Sequence, residues 1–163
     1  NQSTGLNPHD ELSYEESAQI IINHVTQGIE IAKKNGVPDK IIDFIRTHHG
    51  TTKTAYFFKM YMKENPDEDE KEVADMFTYP GPIPFSKESA ALMMADSVEA
   101  ASRSLKEPNV ESIEKLVESI ITNQIKDGQF ENADITLRDI RLIKKMFKKM
   151  LMNIYHVRIE YPH

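Results

Sequence analysis

A helical apolar period runs almost the length of this chain, punctuated by strong start and stop signals, and it limits the fold more than any other feature. Ser13-Tyr14-Glu15-Glu16 is a capping-box pattern: Ser13 can accept from the third helical amide while Glu16 reaches back. It opens a helix expected to run to about Asn35, with Gly36 as the stop. Pro38 begins a second helix, apolar at Ile41, Ile42, Phe44 and Ile45, that delivers His48 and His49 at its end before Gly50. Thr52 to Lys63 reads as a third helix, broken at Asn65-Pro66-Asp67. The acidic run from Asp67 to Glu72 leads a short helix through Val73 and Phe77, its charges at the favourable end of the dipole. That run reads as a solvated helix start in preference to an acidic binding site.

Tyr79-Pro80-Gly81-Pro82-Ile83-Pro84-Phe85 cannot be helical, because alternating prolines fix an extended, stiff loop. Ser86 then caps a helix to about Leu105, rich in small residues (Ala90, Ala91, Ala95, Ser97, Ala100, Ala101). Two more are predicted, Val110 to Lys126 and Leu137 to Tyr155, the latter started by Thr136 with Asp139. That last helix is amphipathic through Ile140, Ile143, Met146, Phe147, Met150 and Leu151. The methionines at 60, 62, 93, 94, 146 and 150 are expected to fill core. Val157 to Tyr161 alternates as a short extended segment would, but no strand ladder and no repeat is present. The expected fold is all-α, with the 163 residues forming one domain.

Cysteine is absent, which excludes disulfides, a thiol nucleophile and thiolate metal sites. Any metal must therefore be held by imidazole and carboxylate, which suits iron, manganese or zinc. The formal charge of -6, with both signs interspersed, argues against a dedicated nucleic-acid or anionic-membrane surface, while a local basic pocket could still hold a small anion. No apolar run approaches the roughly 20 residues of a membrane span, and no signal-peptide pattern is present. The chain does not begin with methionine, and Asn1 to Pro8 reads as irregular, so it is expected to be a piece of something longer.

Four residues put ligand-type side chains among apolar neighbours. His24 lies in an isoleucine-rich helix, His48 and His49 end another, and Asp96 is embedded in Leu92-Met93-Met94-Ala95-Asp96-Ser97-Val98. Each has a plainer alternative. His24 alone could be a core histidine satisfied by its surroundings, and a histidine pair at a helix C-terminus could simply complement the dipole. Asp96 sits mid-helix, too central for a cap, so its charge must meet a metal, Arg103 two turns on, or another side chain. Taken together, these residues suggest one metal-binding surface drawn from three helices.

His24, His48-His49-Gly50-Thr51, the Tyr79-Pro80-Gly81-Pro82 loop and Met94-Ala95-Asp96-Ser97-Val98-Glu99-Ala100 resemble the HD-domain superfamily of metal-dependent phosphohydrolases. More closely, they resemble the cytoplasmic HD domain of seven-transmembrane-receptor HD proteins, whose characterised members are cyclic di-AMP phosphodiesterases. The resemblance covers nearly the whole chain. Asn7 to Ser13 also resembles that family's loop leading into the helix of His24.

The resemblance implies an HD-type helical bundle and a dinuclear centre of divalent ions, iron or manganese first and zinc as the alternative. By matching motifs, His24, His48 and His49 would serve mainly the second ion, and Asp96 would complete the first. The family's upstream histidine and its metal-binding His-Asp pair with the following lysine should precede Asn1, which implies an N-terminally truncated domain with an incomplete site. His9-Asp10 has the right dipeptide but follows Pro8 in a presumed loop, and it aligns with the family's linker instead of the metal helix.

Two divalent ions can hold a phosphodiester's non-bridging oxygens, generate hydroxide and stabilise the leaving 3′ oxygen. The implied reaction is hydrolysis of cyclic di-AMP to a linear dinucleotide, and the implied setting is the cytoplasmic part of an integral membrane protein, this segment itself touching no membrane. The chain alone is expected to be inactive or nearly so and to bind one metal weakly. Tyr79 could stack on a base, with Lys87 or Arg103 meeting phosphate; alternatively the prolines only turn a corner and Tyr79 packs. A non-catalytic helical binding or signalling module, and an HD hydrolase acting on another nucleotide or phosphoester, are the competing readings. No nucleic-acid polymer is expected as a partner. A core lacking its first helices would expose apolar surface, so homo-oligomers are expected to be accessible.

Overall fold

The structure is a computed structural model describing residues 12–157. Its helices are α1 (Tyr14–Lys34), α2 (Asp39–Thr47), α3 (Ala55–Glu64), α4 (Glu70–Ala74), α5 (Lys87–Ser102), α6 (Val110–Lys126) and α7 (Leu137–Ile154). A 3-10 turn, Asp75–Phe77, extends α4. The fold is all-α, as the periodicity predicted; among the described residues the only extended pairing is an isolated antiparallel bridge between Lys53 and Thr78. His9-Asp10 and the alternating tail beyond Val157 lie outside the described residues. The chain divides into two compact units, the first ending at Gly81 and the second beginning at Pro82, so the boundary falls in the proline-rich loop.

In the first unit α1 is the spine. The capping box forms as read, with Glu16 N donating to Ser13 Oγ and Ser13 N to Glu16 Oε2. The helix ends where Gly36 adopts a positive φ of 68°, letting Val37 N reach back to Ala32 O at 3.0 Å. Ala18, Ile22, Val25 and Ala32 recur at helical spacing and are buried. Ala18 packs with Val73 and Phe77, against which Phe57, Phe58 and Tyr61 close. Ile22 and Val25 pack with Tyr79. Residues 52–54, read from sequence as the start of a helix, are instead extended: Thr54 N donates to Phe77 O at 2.7 Å and Tyr79 N to Thr52 O at 2.9 Å. These bonds join residues more than twenty apart, so no local pattern could announce them.

The second unit is built from α5, α6 and α7 around Ala90, Met93, Met94, Val98, Ile113, Val117, Ile121 and Ile140. Full burial of each large aliphatic contributes roughly 1.5–3 kcal/mol. α7 starts as predicted: Asp139 N donates to Thr136 Oγ1 and Thr136 N to Asp139 Oδ2. Lys144 and Lys148 on α7 both grip Glu118 of α6, at 2.7 and 2.8 Å. The methionine stripe divides. Met93 and Met94 are buried, but Met146 and Met150 are 57% and 51% exposed. At 100° per residue they stand roughly 130° and 90°, respectively, from the arc centred on Ile140 and Leu151 that faces the core.

Candidate metal centre

The first unit brings His24, His48 and His49 together, with one ligand atom of each lying within 4.8 Å of the others. α1 carries His24 between the buried positions Ile22 and Val25. α2 carries the pair at its end, where Thr47 is fully buried and its hydroxyl donates to Asp43 O at 2.7 Å. His48 is the C-cap, its amide donating to Phe44 O. Gly50 then takes a left-handed φ of 51°, and Gly50 N donates to Thr47 O at 3.0 Å, which turns the backbone immediately after the two imidazoles. Thr52 secures the turn from the far side, with N and Oγ1 both donating to His49 O at 3.1 and 2.8 Å.

The imidazole orientations follow from the backbone. His24 Nδ1 bonds to Ile21 O, and His48 Nδ1 to Ile45 O at 2.6 Å. A carbonyl oxygen only accepts, so both Nδ1 atoms carry the proton, and in the neutral rings both Nε2 atoms present bare lone pairs. Those Nε2 atoms face each other at 3.1 Å. Two lone pairs at this distance repel unless a cation or proton lies between them. Ligands about 2.0–2.1 Å from one metal ion, at angles between octahedral and tetrahedral, lie about 2.9–3.4 Å apart, so the separation fits a shared ion. A backbone carbonyl behind the ligating imidazole is also the usual way such a ring is oriented.

His49 completes the cluster from a half-buried position, its ring centroid 4.0 Å from that of His48 and 5.0 Å from that of His24. Burial, then the neighbouring His48 and His24, lowers its pKa from 6.5 to about 3, which keeps its lone pair available at neutral pH. Tyr79 lies against it as a stacked ring, with centroids 4.3 Å apart and planes at 22°. The Lys53–Thr78 bridge places it there by tying the segment after the histidine turn to the strand-like residues before Tyr79. Only 7% exposed and packed with Ile22 and Val25, Tyr79 acts as a wall behind His49.

The remaining candidates belong to the second unit. Asp96 lies mid-α5, partly exposed, between the buried Met94 and Val98. Lys87, in the first turn of α5, pairs with Asp139 at 3.0 Å. Arg103, the C-cap of α5, pairs with Glu99 at 2.8 Å. One feature near Asp96 was not read from sequence: Gln124 of α6 is buried and donates to Ser97 Oγ at 2.8 Å. Its only trace in the sequence is a glutamine on the apolar face of an amphipathic helix.

No family model matches the chain. The cyclic-di-AMP phosphodiesterase PgpH of Listeria monocytogenes serotype 1/2a (strain 10403S) is 43% identical over 162 residues, which cover 99% of this chain and 22% of that protein. The protein of the same name from Bacillus subtilis (strain 168) is also 43% identical over 162 residues, with the same coverage. The chain thus spans about a fifth of the length of these curated relatives, 22% in each case. A crystal structure of the L. monocytogenes PgpH HD domain in complex with cyclic-di-AMP superposes with a TM-score of 0.86 at 42% identity, covering 95% of this chain and 71% of that one.

Proposed function

The chain belongs to the family of the PgpH HD domain, and from that premise we propose that it supplies part of the divalent-metal centre of a phosphodiesterase acting on cyclic di-AMP. The observation that carries the reading is the pair of carbonyl-oriented imidazoles, His24 and His48, whose Nε2 lone pairs converge at 3.1 Å beside His49. A shared proton would also relieve the opposed lone pairs, but a third imidazole, His49, within reach of both favours a metal ion. We assign His24, His48 and His49 to one ion and, by the family's motif, Asp96 to the other. Iron or manganese is the metal proposed first, with zinc as the alternative, because the donor set holds nitrogen and oxygen but no thiolate.

When bound, the paired divalent ions supply Lewis-acid activation of water and neutralise charge on the phosphodiester. The chain's own residues hold that geometry. Ile21 O and Ile45 O fix the tautomers and ring planes of His24 and His48, so that neither ring must reorganise. Burial, and then the neighbouring His48 and His24, keep His49 neutral. Lys87 and Arg103 are assigned to phosphate, whereas Tyr79, buried against Ile22 and Val25 and stacked on His49, takes the packing role that the sequence left as its alternative. Both cations now sit in exposed ion pairs, which are exchanged for a phosphate at little cost. The setting proposed is the cytoplasmic part of a membrane-anchored protein; among the described residues, no helix is long and apolar enough to cross a membrane.

The test is metal content after purification without chelator or metal-affinity resin, followed by titration with Mn2+ and then cyclic di-AMP. Bound iron, manganese or zinc that is lost in His48→Ala, and metal-dependent binding of cyclic di-AMP, are the expected results. A metal-free protein that fails to take up Mn2+ would remove the proposal and leave the histidines structural.

A further inference from the structure

Charge is spread unevenly over this fold. The interspersed signs of the sequence as a whole argue against an anionic-membrane surface, but that average conceals α7. The helix carries six cationic side chains, Arg138, Arg141, Lys144, Lys145, Lys148 and Lys149, against the single acid Asp139, in a chain of net charge -6. Lys144 and Lys148 are neutralised by Glu118, and Asp139 by Lys87. Arg138, Arg141, Lys145 and Lys149 are exposed and have no ion-pair partner among the described residues. Arg141, Lys145 and Lys149 also line a groove of about 510 Å3 between α6 and α7, together with Met152, Glu114 and Glu118.

The same helix leaves apolar side chains in water. Leu142, Met146, Met150 and Ile154, four residues apart, are each more than half exposed. They draw a stripe about 18 Å long on the helix surface. Lys145 and Lys149 follow Leu142 and Met146 by three residues, so each stands at the shoulder of the stripe. An acidic protein segment or a nucleic acid would satisfy these cations and leave the apolar side chains wet. A second copy of the chain would cover the stripe only by setting one cationic face against another. A surface of anionic phospholipid answers both features, because it offers phosphates beside an acyl layer. Among the described residues no helix is long and apolar enough to cross a membrane, so α7 would lie along such a surface and not through it.

We propose that the outer face of α7 docks on an anionic phospholipid surface. Leu142, Met146, Met150 and Ile154 enter the acyl boundary, while Arg138, Lys145 and Lys149 meet the phosphates. The occupant follows from charge complementarity together with the apolar stripe beside the cations, and it is independent of the histidine cluster. It revises the expectation that this segment touches no membrane, since one helix concentrates what the chain-wide charge averages out.

The experiment is sedimentation of the chain with vesicles of phosphatidylglycerol and phosphatidylcholine in equal parts, against vesicles of phosphatidylcholine alone. The chain should sediment with the anionic vesicles only, and less as salt is raised. Lys145→Glu/Lys149→Glu should weaken the partitioning about tenfold or more, and Leu142→Gln/Met146→Gln should weaken it severalfold. Lys40→Glu/Lys59→Glu, which changes the net charge equally but from exposed positions in the first unit, should leave it essentially unaltered. Because the sequence holds no tryptophan, Met146→Trp supplies a single reporter, whose emission should shift to the blue on the anionic vesicles. All the substituted side chains are exposed, so helical ellipticity should be unchanged in every variant. No binding to the anionic vesicles, an equal loss in Lys40→Glu/Lys59→Glu, or an unshifted emission would overturn the inference. Binding that needs the lysines but ignores Leu142→Gln/Met146→Gln would assign the face to a soluble polyanion and overturn it as well. So would a dimer that Leu142→Gln/Met146→Gln dissociates in the absence of vesicle binding, which would give the face to a second copy.

Discussion

At the scale of single residues, the spacing between α1 and α2 is the most exposed variable. A Cβ placed on Gly28 would lie 3.1 Å from Ile45 Cγ2, and Gly28 sits one turn beyond His24 on α1. Ile45 is also the residue whose carbonyl orients His48. Gly28→Ala gains about 0.5–1 kcal/mol of helix propensity and loses roughly 1–3 kcal/mol to overpacking, so overpacking wins. The expected outcome is a net loss of about 1 kcal/mol by urea denaturation, with Mn2+ affinity falling severalfold as His24 and His48 move apart. Gly28→Ala with affinity intact would show that α2 can yield without disturbing its imidazoles. That His24, His48 and His49 would gather was legible beforehand, since all three put imidazoles among apolar neighbours on helices. Their tautomers were not, because the oxygens that set them, Ile21 O and Ile45 O, acquire direction only once the helices exist.

At the scale of elements, the caps show where sequence reading is strongest. The Ser13/Glu16 and Thr136/Asp139 signals formed as read, because both partners of a capping box lie within one turn and need no tertiary help. The start of α3 was misplaced by comparison, since residues 52–54 answer to Phe77 and Tyr79 across the chain. Met146 and Met150 were misjudged for a related reason: periodicity reveals that α7 has an apolar face, but its neighbours choose which arc is covered.

The start of α7 also carries a pH dependence. The Thr136 amide and hydroxyl, then Lys87, lower the Asp139 pKa from 3.8 to about 2. A carboxylate depressed on folding contributes stability fully above the unfolded value, and that contribution is lost as pH falls through the folded one. α7 should therefore fray as pH drops from about 4 towards 2, seen as loss of helical ellipticity and of amide protection at its first turn. Asp139→Asn should be less stable at neutral pH and should lose that limb of the acid titration.

At the scale of the whole molecule, the metal reading predicts a regional response. A ligand that binds only the folded state stabilises by about 2.7 kcal/mol at one hundred times its dissociation constant. The candidate ligands on α1 and at the end of α2 belong to the first unit. Mn2+ should accordingly slow amide exchange in α1, α2 and the turn after them more than in α6, and His48→Ala should abolish the difference. Uniform protection across α6 and the histidine turn would mean that the whole chain responds as one cooperative body. The proline-rich loop, legible from its residues alone, coincides with the boundary between the two units.

The Lys53–Thr78 bridge has a consequence for how the chain tolerates change. It pinches the chain shut between the histidine turn and Tyr79, so that α3 and α4 form an excursion leaving and returning at one clasp. The entropy of closing such a loop grows only slowly with its length. Extra residues inserted at Asn65-Pro66-Asp67 should therefore leave Mn2+ affinity almost unchanged, whereas Thr54→Pro, which removes the amide that binds Phe77 O, should lower it sharply. Such a clasp makes the tip of the excursion a place where sequence can drift or be grafted while the imidazoles keep their aim, so long as Phe57, Phe58, Tyr61 and Val73 still close on Ala18.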